Sequence, residues 1–308
     1  MSDLKIFFDE SLHRYTDEYG NIFCSVTTVI GKYEEKFDSE KVARICERIG
    51  KNPKHPKYNR YKNKTAKQLI KEWESITTIA LDKGNKKHNY LEDVIKTSNG
   101  YKRIKGKFIN DRLFTIPDII HNPTVGKISI DKLNELGLEK QYPTIYNLII
   151  TFINNGWSLY SEIGVYNKDL LISGLIDLLL VNGDRFFIID WKTNKSPVSF
   201  KSGYYEKDDT GKVTDNFITN GKTLQYPVSH LPASVGHKYT LQLSGYAYLV
   251  EHFGLKPSGI VLCHIQEDDK GEEFVDLIKI KYLKEDIQKL FFHHASNSIS
   301  SVQSKLFI

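Results

Sequence analysis

The chain has 308 residues, enough to bury a sizeable core, with 40% hydrophobic residues, 26% charged residues and a formal net charge of +5. That balance excludes a disordered chain, and no run approaches the roughly 18 uninterrupted apolar residues of a membrane span. No apolar leader follows Met1, and Cys24, Cys46 and Cys263 stand far apart and in odd number, so the expectation is a cytoplasmic protein with reduced thiols and no membrane partner.

A small β element comes first: Lys5–Phe8, His13–Tyr15 and Ile22–Val26 are rich in β-branched and aromatic residues, with a turn at Glu18–Asn21. Thr27 or Thr28 then offers a helix cap, and helical spacing runs through Val42, Ile45 and Ile49 until Pro53 and Pro56 interrupt it. Between Glu47 and Glu72 there is no acid, only Lys51, Lys54, Lys57, Arg60, Lys62, Lys64, Lys67 and Lys71 with Tyr58 and Tyr61 interleaved. Such a stretch is either a solvated face or a phosphate-binding surface, where cations gain from counterion release and aromatic rings stack on bases. Residues 1–64 thus read as an N-terminal β-hairpin and basic helical region. A leading helix follows over 65–97, with Leu69, Trp73, Ile76, Ala80, Leu91 and Val94 expected on its buried side. Residues 98–157 read as an insertion with a helix near Thr144–Asn154.

The period then changes. Ser161–Tyr166, Leu170–Val181 and Arg185–Lys192 are strand-like, and the short breaks at Asn167–Asp169 and Asn182–Asp184 imply an antiparallel meander. A polar connection from Thr193 to His237 leads to a helix over Tyr239–Phe253, strands at Gly259–Ile265 and Phe274–Ile280, and a closing helix from Lys284. The predicted fold is α/β: a central mixed sheet, a three-strand meander followed by helix and strand, flanked by helices and carrying insertions. It is taken as a single domain over 1–308, with 158–308 as the catalytic sheet and its helices. The polar connection leaves directly from the meander and is longer than compact folds usually tolerate without a purpose. Its Lys195, Lys201 and Tyr204, with Lys54, Lys57, Arg60, Lys62 and Lys64, form a candidate DNA-gripping set.

Two strands carry a misplaced acid. Asp177 interrupts the apolar run Ile172–Val181, and Phe186–Ile189 leads into Asp190-Trp191-Lys192. A buried carboxylate without a partner is costly. Alternation places Asp190 and Lys192 on one face and Trp191 on the other, and pairing through Asn182–Asp184 brings Asp177 beside Asp190. Two carboxylates about 4 Å apart repel by roughly 4 kcal/mol at an effective dielectric near 20, so a cation belongs between them. A hard divalent ion suits carboxylate oxygens, and Lys192 would orient a water or steady developing negative charge. A plain ion pair at a sheet end is the other reading.

Asp177, a gap of 12 residues and Asp190-x-Lys192 together resemble the PD-(D/E)XK pattern of restriction-endonuclease-like nucleases, with Ile176 where that name has proline. Gly84-x-x-x-His88-x-x-Leu91-Glu92 and Gln242-x-x-x-Tyr246 are similar to helix motifs of the RecB-like and phage-exonuclease branch. The resemblance spans roughly residues 84–250. It implies a restriction-endonuclease-like core and a Mg²⁺- or Mn²⁺-dependent DNA nuclease, an exonuclease of phage-type recombination, replication or processing. It makes Asp177, Asp190 and Lys192 catalytic, with Gln242 and Tyr246 near the lysine. His88, Asp177, Asp190 and the Trp191 backbone carbonyl become metal ligands, with Glu92 as a further acid. Glu162 is either a solvent-facing strand residue or a ligand to a second ion. Many relatives hold an iron-sulfur cluster on four cysteines; this chain has three, so none is expected. The implied partners are linear double- or single-stranded DNA, a recombination or single-strand-annealing protein and further copies of the chain. A structure- or site-specific endonuclease, an inactive DNA-binding module of the same fold and an RNA substrate stay open.

Overall fold

In the computed structural model, which describes residues 4–9, 11–101, 103–104, 107–108, 112–208, 212–268 and 270–306, the chain opens with β1 (Ile6–Asp9), β2 (Arg14–Asp17) and β3 (Ile22–Ser25). Side chains at 103, 104, 107 and 108 and from 298 onward lie outside that description. Helices α1 (Val26–Gly31), α2 (Ser39–Ile49), α3 (Tyr58–Tyr61) and the 33-residue α4 (Ala66–Ser98) follow. The short pair β4 (Arg103–Ile104) and β5 (Lys107–Phe108) precedes α5 (Ile116–His121), α6 (Ile130–Glu135), α7 (Leu138–Gln141) and α8 (Pro143–Asn154). Then come β6 (Ser158–Asn167), β7 (Ile172–Asn182), β8 (Arg185–Lys192), β9 (Gly203–Lys207) and β10 (Val213–Thr219). The chain ends in α9 (Val235–Glu251), β11 (Lys256–Glu267), β12 (Glu273–Lys279) and α10 (Lys284–Leu306).

The fold is mixed α/β, with an eight-stranded mixed sheet flanked by helices. The β6–β7–β8 meander is antiparallel, and β11 joins β8 in parallel after the α9 crossover. The N-terminal strands are not a separate ornament, because β3 runs parallel to the start of β7 and extends the sheet.

That attachment forks the sheet. Strand β6 lines one side of β7 from Ile172 to Val181. The other side is shared: β3 pairs at Ile172 and Ser173, and β8 pairs only from Leu178 to Asn182. Gly174–Asp177 therefore have no strand partner on that side, while β8 continues along β11 through Asp190↔Leu262 and Lys192↔His264.

Two cores cover the two faces. One, with Val26 of α1, Leu241 and Tyr246 of α9 and Phe291 of α10, takes Ile176, Leu179, Phe186 and Ile188 from the sheet. The other, with Leu91 and Ile95 of α4 and Ile145 and Ile149 of α8, takes Leu178, Leu180, Ile189 and Trp191. Each fully buried aliphatic or aromatic side chain contributes about 1.5–3 kcal/mol against exposure. The assignments reveal a break in alternation. Ile176 and Leu179 share a face although they are three positions apart, and Tyr160 and Ile163 do the same on β6. Both strands reverse their facing at the same rung.

Several expectations need correction. Ser25, not Thr27 or Thr28, caps α1, accepting from the Thr28 N–H. Helix α2 buries Ala43 and Cys46, with Val42 partly buried beside them. Helix α4 begins with a Thr65/Gln68 capping box, but Ile76 is 57% exposed and Ala80 is exposed too. The cause is that α4 bridges two packed regions, Leu69 against α2 and Leu91, Val94 and Ile95 in the second core, with Glu74–Lys83 exposed between them. Among the described residues the insertion holds α5, α6 and α7 besides the expected helix, α8, and the polar connection contains the β9–β10 hairpin. Among the described residues no helix is long and apolar enough to cross a membrane, and the three cysteines are free.

Candidate metal centre

The fork brings four elements together. The β6–β7 register passes from Ser161↔Leu178 to Ile163↔Ile176, which sets Glu162 opposite Asp177. Glu162 has φ +56°, a left-handed conformation that costs a non-glycine residue roughly 1–3 kcal/mol and persists only where the surroundings demand it. Here it turns the carboxylate inward at the rung where alternation reverses. Helix α4 contributes His88 from the second-core side. Its Nε2–H donates to Asp177 Oδ2 at 2.9 Å, and its Nδ1 lies 3.6 Å from Glu162 Oε1. One ligand atom from each of His88, Glu162 and Asp177 falls within 4.8 Å of the others, close enough for one ion to touch all three.

Strand β8 supplies the rest. The unpaired stretch of β7 is closed by a side chain, because the Trp191 N–H donates to Asp177 Oδ2 at 2.9 Å. It is thus the N–H of Trp191 that holds the site in this structure, and the indole packs in the second core. Asp190 is 1% exposed, and the Lys192 ammonium lies 2.7 Å from its Oδ2. Lys192 offsets part of the cost of burying this carboxylate, and Oδ1 has no partner among the described residues. A second cation could take up the remaining lone pairs. The acids divide accordingly: Asp177 joins His88 and Glu162, while Asp190 faces Lys192 and is not of the three-residue group.

The titration behaviour follows. Burial alone would lower the His88 pKa, but the charge and hydrogen bond of Asp177, with Glu162 and Asp190, lift it to about 9. Burial, reinforced by Asp177, raises Glu162 to about 8 against the pull of His88. Burial also raises Asp190 to about 6, opposed by Lys192. Asp177 moves the other way: burial would raise it, yet His88, Lys192 and the Trp191 N–H hold it below the usual range. Lys192 loses by burial but is raised overall by Asp190 and Asp177. Near pH 7 the metal-free cluster is therefore close to neutral, with His88 and Lys192 charged against Asp177 and Asp190, and Glu162 protonated.

Glu162 settles as a buried member of the cluster and not a solvent-facing strand residue. Glu92 is paired with Lys96 at 2.5 Å and stays out of the ligand group. Gln242 donates to the Tyr246 hydroxyl at 3.1 Å, and the Tyr246 ring fills the space that Gly174 leaves by having no Cβ. Tyr239 is the residue that sequence reasoning missed. Lys192 Nζ sits 5.1 Å from the centre of its ring, a cation–π contact, and its hydroxyl donates to Asn194 Oδ1. His264 lies within 2.7 Å of the Asn194 carbonyl, so Tyr239 and His264 together fix the chain just beyond Lys192.

Of the basic set, Lys54, Lys62, Lys195, Lys201 and Tyr204 are exposed. Lys64 is paired with Glu72, Lys57 lies 3.6 Å from Glu206, and Arg60 donates to the Lys207 carbonyl. These last contacts join the α3 region to the β9–β10 hairpin. At the other end α4 passes Thr193 so closely that a Cβ on Gly84 would come within 2.8 Å of its Oγ1. From Thr193 through β9, α3, α2 and the bare middle of α4 back to Gly84, the contacts make a closed circuit that begins and ends beside Lys192 and His88. No known protein family and no curated protein matches this chain.

Proposed function

We propose that the chain is a divalent-metal-dependent deoxyribonuclease with a restriction-endonuclease-like core, acting on DNA ends. The observation that carries this reading is the convergence of His88, Glu162, Asp177 and Asp190 at the fork, with the Lys192 ammonium 2.7 Å from the buried Asp190. The donor set, carboxylates with one imidazole, fits Mg²⁺ or Mn²⁺. His88, Glu162 and Asp177 would hold the ion, with Asp190 beside them. Such an ion, when bound, polarises a phosphoryl oxygen and makes a bound water acidic enough to attack near neutral pH.

The chain's own residues do the remaining work. Lys192, held between Asp190 and the Tyr239 ring, presents a fixed ammonium where charge grows on the phosphate or where the attacking water must be oriented. The Trp191 N–H keeps Asp177 aimed at the centre, and Asp190 is the acid best placed to take a proton from a water beside Lys192. Exposed lysines of the 54–64 segment and of the β8–β9 connection attract the phosphate backbone, and Tyr204 offers a stacking surface.

The likeness of the Gly84–Glu92 and Gln242–Tyr246 segments to phage-exonuclease motifs favours an exonuclease over an endonuclease. The test is digestion of linear, nicked and closed circular DNA in Mg²⁺, Mn²⁺ or EDTA, with wild type beside Asp190→Ala and Lys192→Ala. Metal-dependent loss of linear DNA only, absent in both variants, is expected. Cutting of closed circles would refute end dependence, and intact DNA under every metal would refute the nuclease.

A further inference from the structure

A cavity of about 410 Å³ opens between the end of α1, the Gln225–Tyr226 turn and the middle of α10. Lys32, Tyr33, Gln225, Tyr226, His293, His294 and Asn297 line it, and none of these is acidic. None belongs to the carboxylate cluster.

The electrostatics of this cavity are one-sided. His294 is 7% exposed, and its pKa is held down first by burial and then by the charges of Lys32 and His293. His293 Nδ1 lies 2.9 Å from the hydroxyl of the buried Tyr33, which leaves Nε2 to carry the ring proton when Tyr33 donates. The side-chain amide of Asn297 is 3.3 Å from the same imidazole. An ammonium, two imidazoles and two amides thus surround one space. Tyr226 stands at its rim, 72% exposed, its ring and that of His293 meeting in a T-shaped contact at 5.2 Å and 80°. That exposure leaves ring surface for a flat partner.

We propose that this cavity binds a nucleotide through its phosphate, with the base stacked on Tyr226. A phosphate brings roughly −1.5 to −2 charges and three strong acceptors, which the Lys32 ammonium, the His293 Nε2–H and the Gln225 amide can meet. The cavity lies within the size range of small-molecule sites, roughly 300–1,000 Å³. The shared chemistry, a phosphate with an adjacent base, comes from either a free 5′-mononucleotide or the terminus of a strand. The site stands whether or not the carboxylate centre cleaves DNA.

The experiment titrates dAMP, inorganic phosphate and a 5′-phosphorylated single-stranded 12-mer into the full chain in EDTA, following the ring signals of His293 and His294 by NMR. dAMP should shift both signals saturably and bind about tenfold more tightly than inorganic phosphate, the size of one base–aromatic stacking contact. Lys32→Glu should weaken both ligands at least tenfold. Tyr226→Ala should leave phosphate binding intact and erase the preference for dAMP; both residues are exposed, so neither change threatens the fold. Tighter binding of the 12-mer identifies a strand terminus as the source, and tighter binding of dAMP identifies a free nucleotide. Absence of a saturable shift with every probe up to about 10 mM, or unchanged binding in Lys32→Glu, would overturn the site. A dAMP preference surviving in Tyr226→Ala would overturn the stacked base.

Discussion

Binding of a divalent ion should expel protons, in a number the cluster fixes. In the metal-free protein His88 titrates at about 9, Glu162 at about 8 and Asp190 at about 6. At pH 7 this leaves His88 and Glu162 mostly protonated and Asp190 mostly ionised. Ligand atoms must lose their protons to reach the ion, so one bound Mn²⁺ releases about two protons at pH 7 and fewer than one near pH 9. The apparent association constant then climbs up to about 100-fold per pH unit around neutrality and flattens in alkali. Calorimetric titration with Mn²⁺ in two buffers of different ionisation enthalpy at each pH counts the protons directly. Glu162→Gln should lower the count at pH 7 by about one. Release near zero at pH 7, or a count unchanged in that variant, would refute the assignment of His88 and Glu162 as ligands.

The same groups set the stability of the metal-free protein. His88, Glu162 and Asp190 all have folded pKa values raised above their ordinary ones, so the folded state binds more protons and stability falls as pH rises through about 6 to 9, by about 1.4 kcal/mol for each tenfold gain in proton affinity on folding; melting in EDTA should drop steadily across that range, and Mn²⁺ should flatten the curve. Glu162→Gly should stabilise the metal-free protein by about 1 kcal/mol, because glycine tolerates the positive φ, while abolishing Mn²⁺ binding in the calorimeter. In Gly174→Ala the new Cβ would come within 2.5 Å of Tyr246 Cε1, so denaturant unfolding should show a loss of about 1–3 kcal/mol, with a drop in nuclease rate although every metal ligand remains. Deleting 203–219 removes the β9–β10 hairpin, whose ends already meet through the Asn220 N–H and the Ser202 carbonyl at 3.1 Å; strand binding should weaken more than tenfold while the melting temperature barely moves.

The parts legible in the sequence share one property: a local pattern that tertiary packing did not override. The meander could be read because apolar runs and short turns define it, and Asp177 and Asp190 because an acid inside such a run has few bland explanations. Glu162 gave the same kind of signal, with Ser161 the polar pair in the run from Leu159 to Tyr166, yet period-2 reasoning left it open to solvent. What turned it inward is a left-handed φ that no spacing encodes. Tyr239 was overlooked because its role depends on how α9 crosses β8 and not on its own neighbours in sequence. The middle of α4 erred in the opposite sense: Ile76 and Ala80 keep helical periodicity, but nothing covers them. The hairpin in the 193–237 connection was hidden because its strands are half-exposed on both faces, so alternation between apolar and polar residues is weak there.

The reversal shared by β6 and β7 explains why the candidate centre can exist at all. With strict alternation, every residue on a strand belongs to one core or the other, and a carboxylate on either face would sit against aliphatic side chains. Here Tyr160 and Ile163 face one core while Leu159 faces the other, and Ile176 and Leu179 bracket Leu178 in the same way. Glu162 and Asp177 occupy the switch between those assignments, so neither core claims them. The boundary is reachable from both sides of the sheet: His88 arrives from α4 on the second-core side, while Asp190 and Lys192 follow Phe186 and Ile188 on the face that meets α9. A site assembled across a sheet in this way needs β8 to part from β7, which the docking of β3 lower on the same edge accommodates. The N-terminal strands are therefore part of the architecture of the centre, although they give none of its ligand atoms and reach it only through Tyr15, which feels the charge of Glu162.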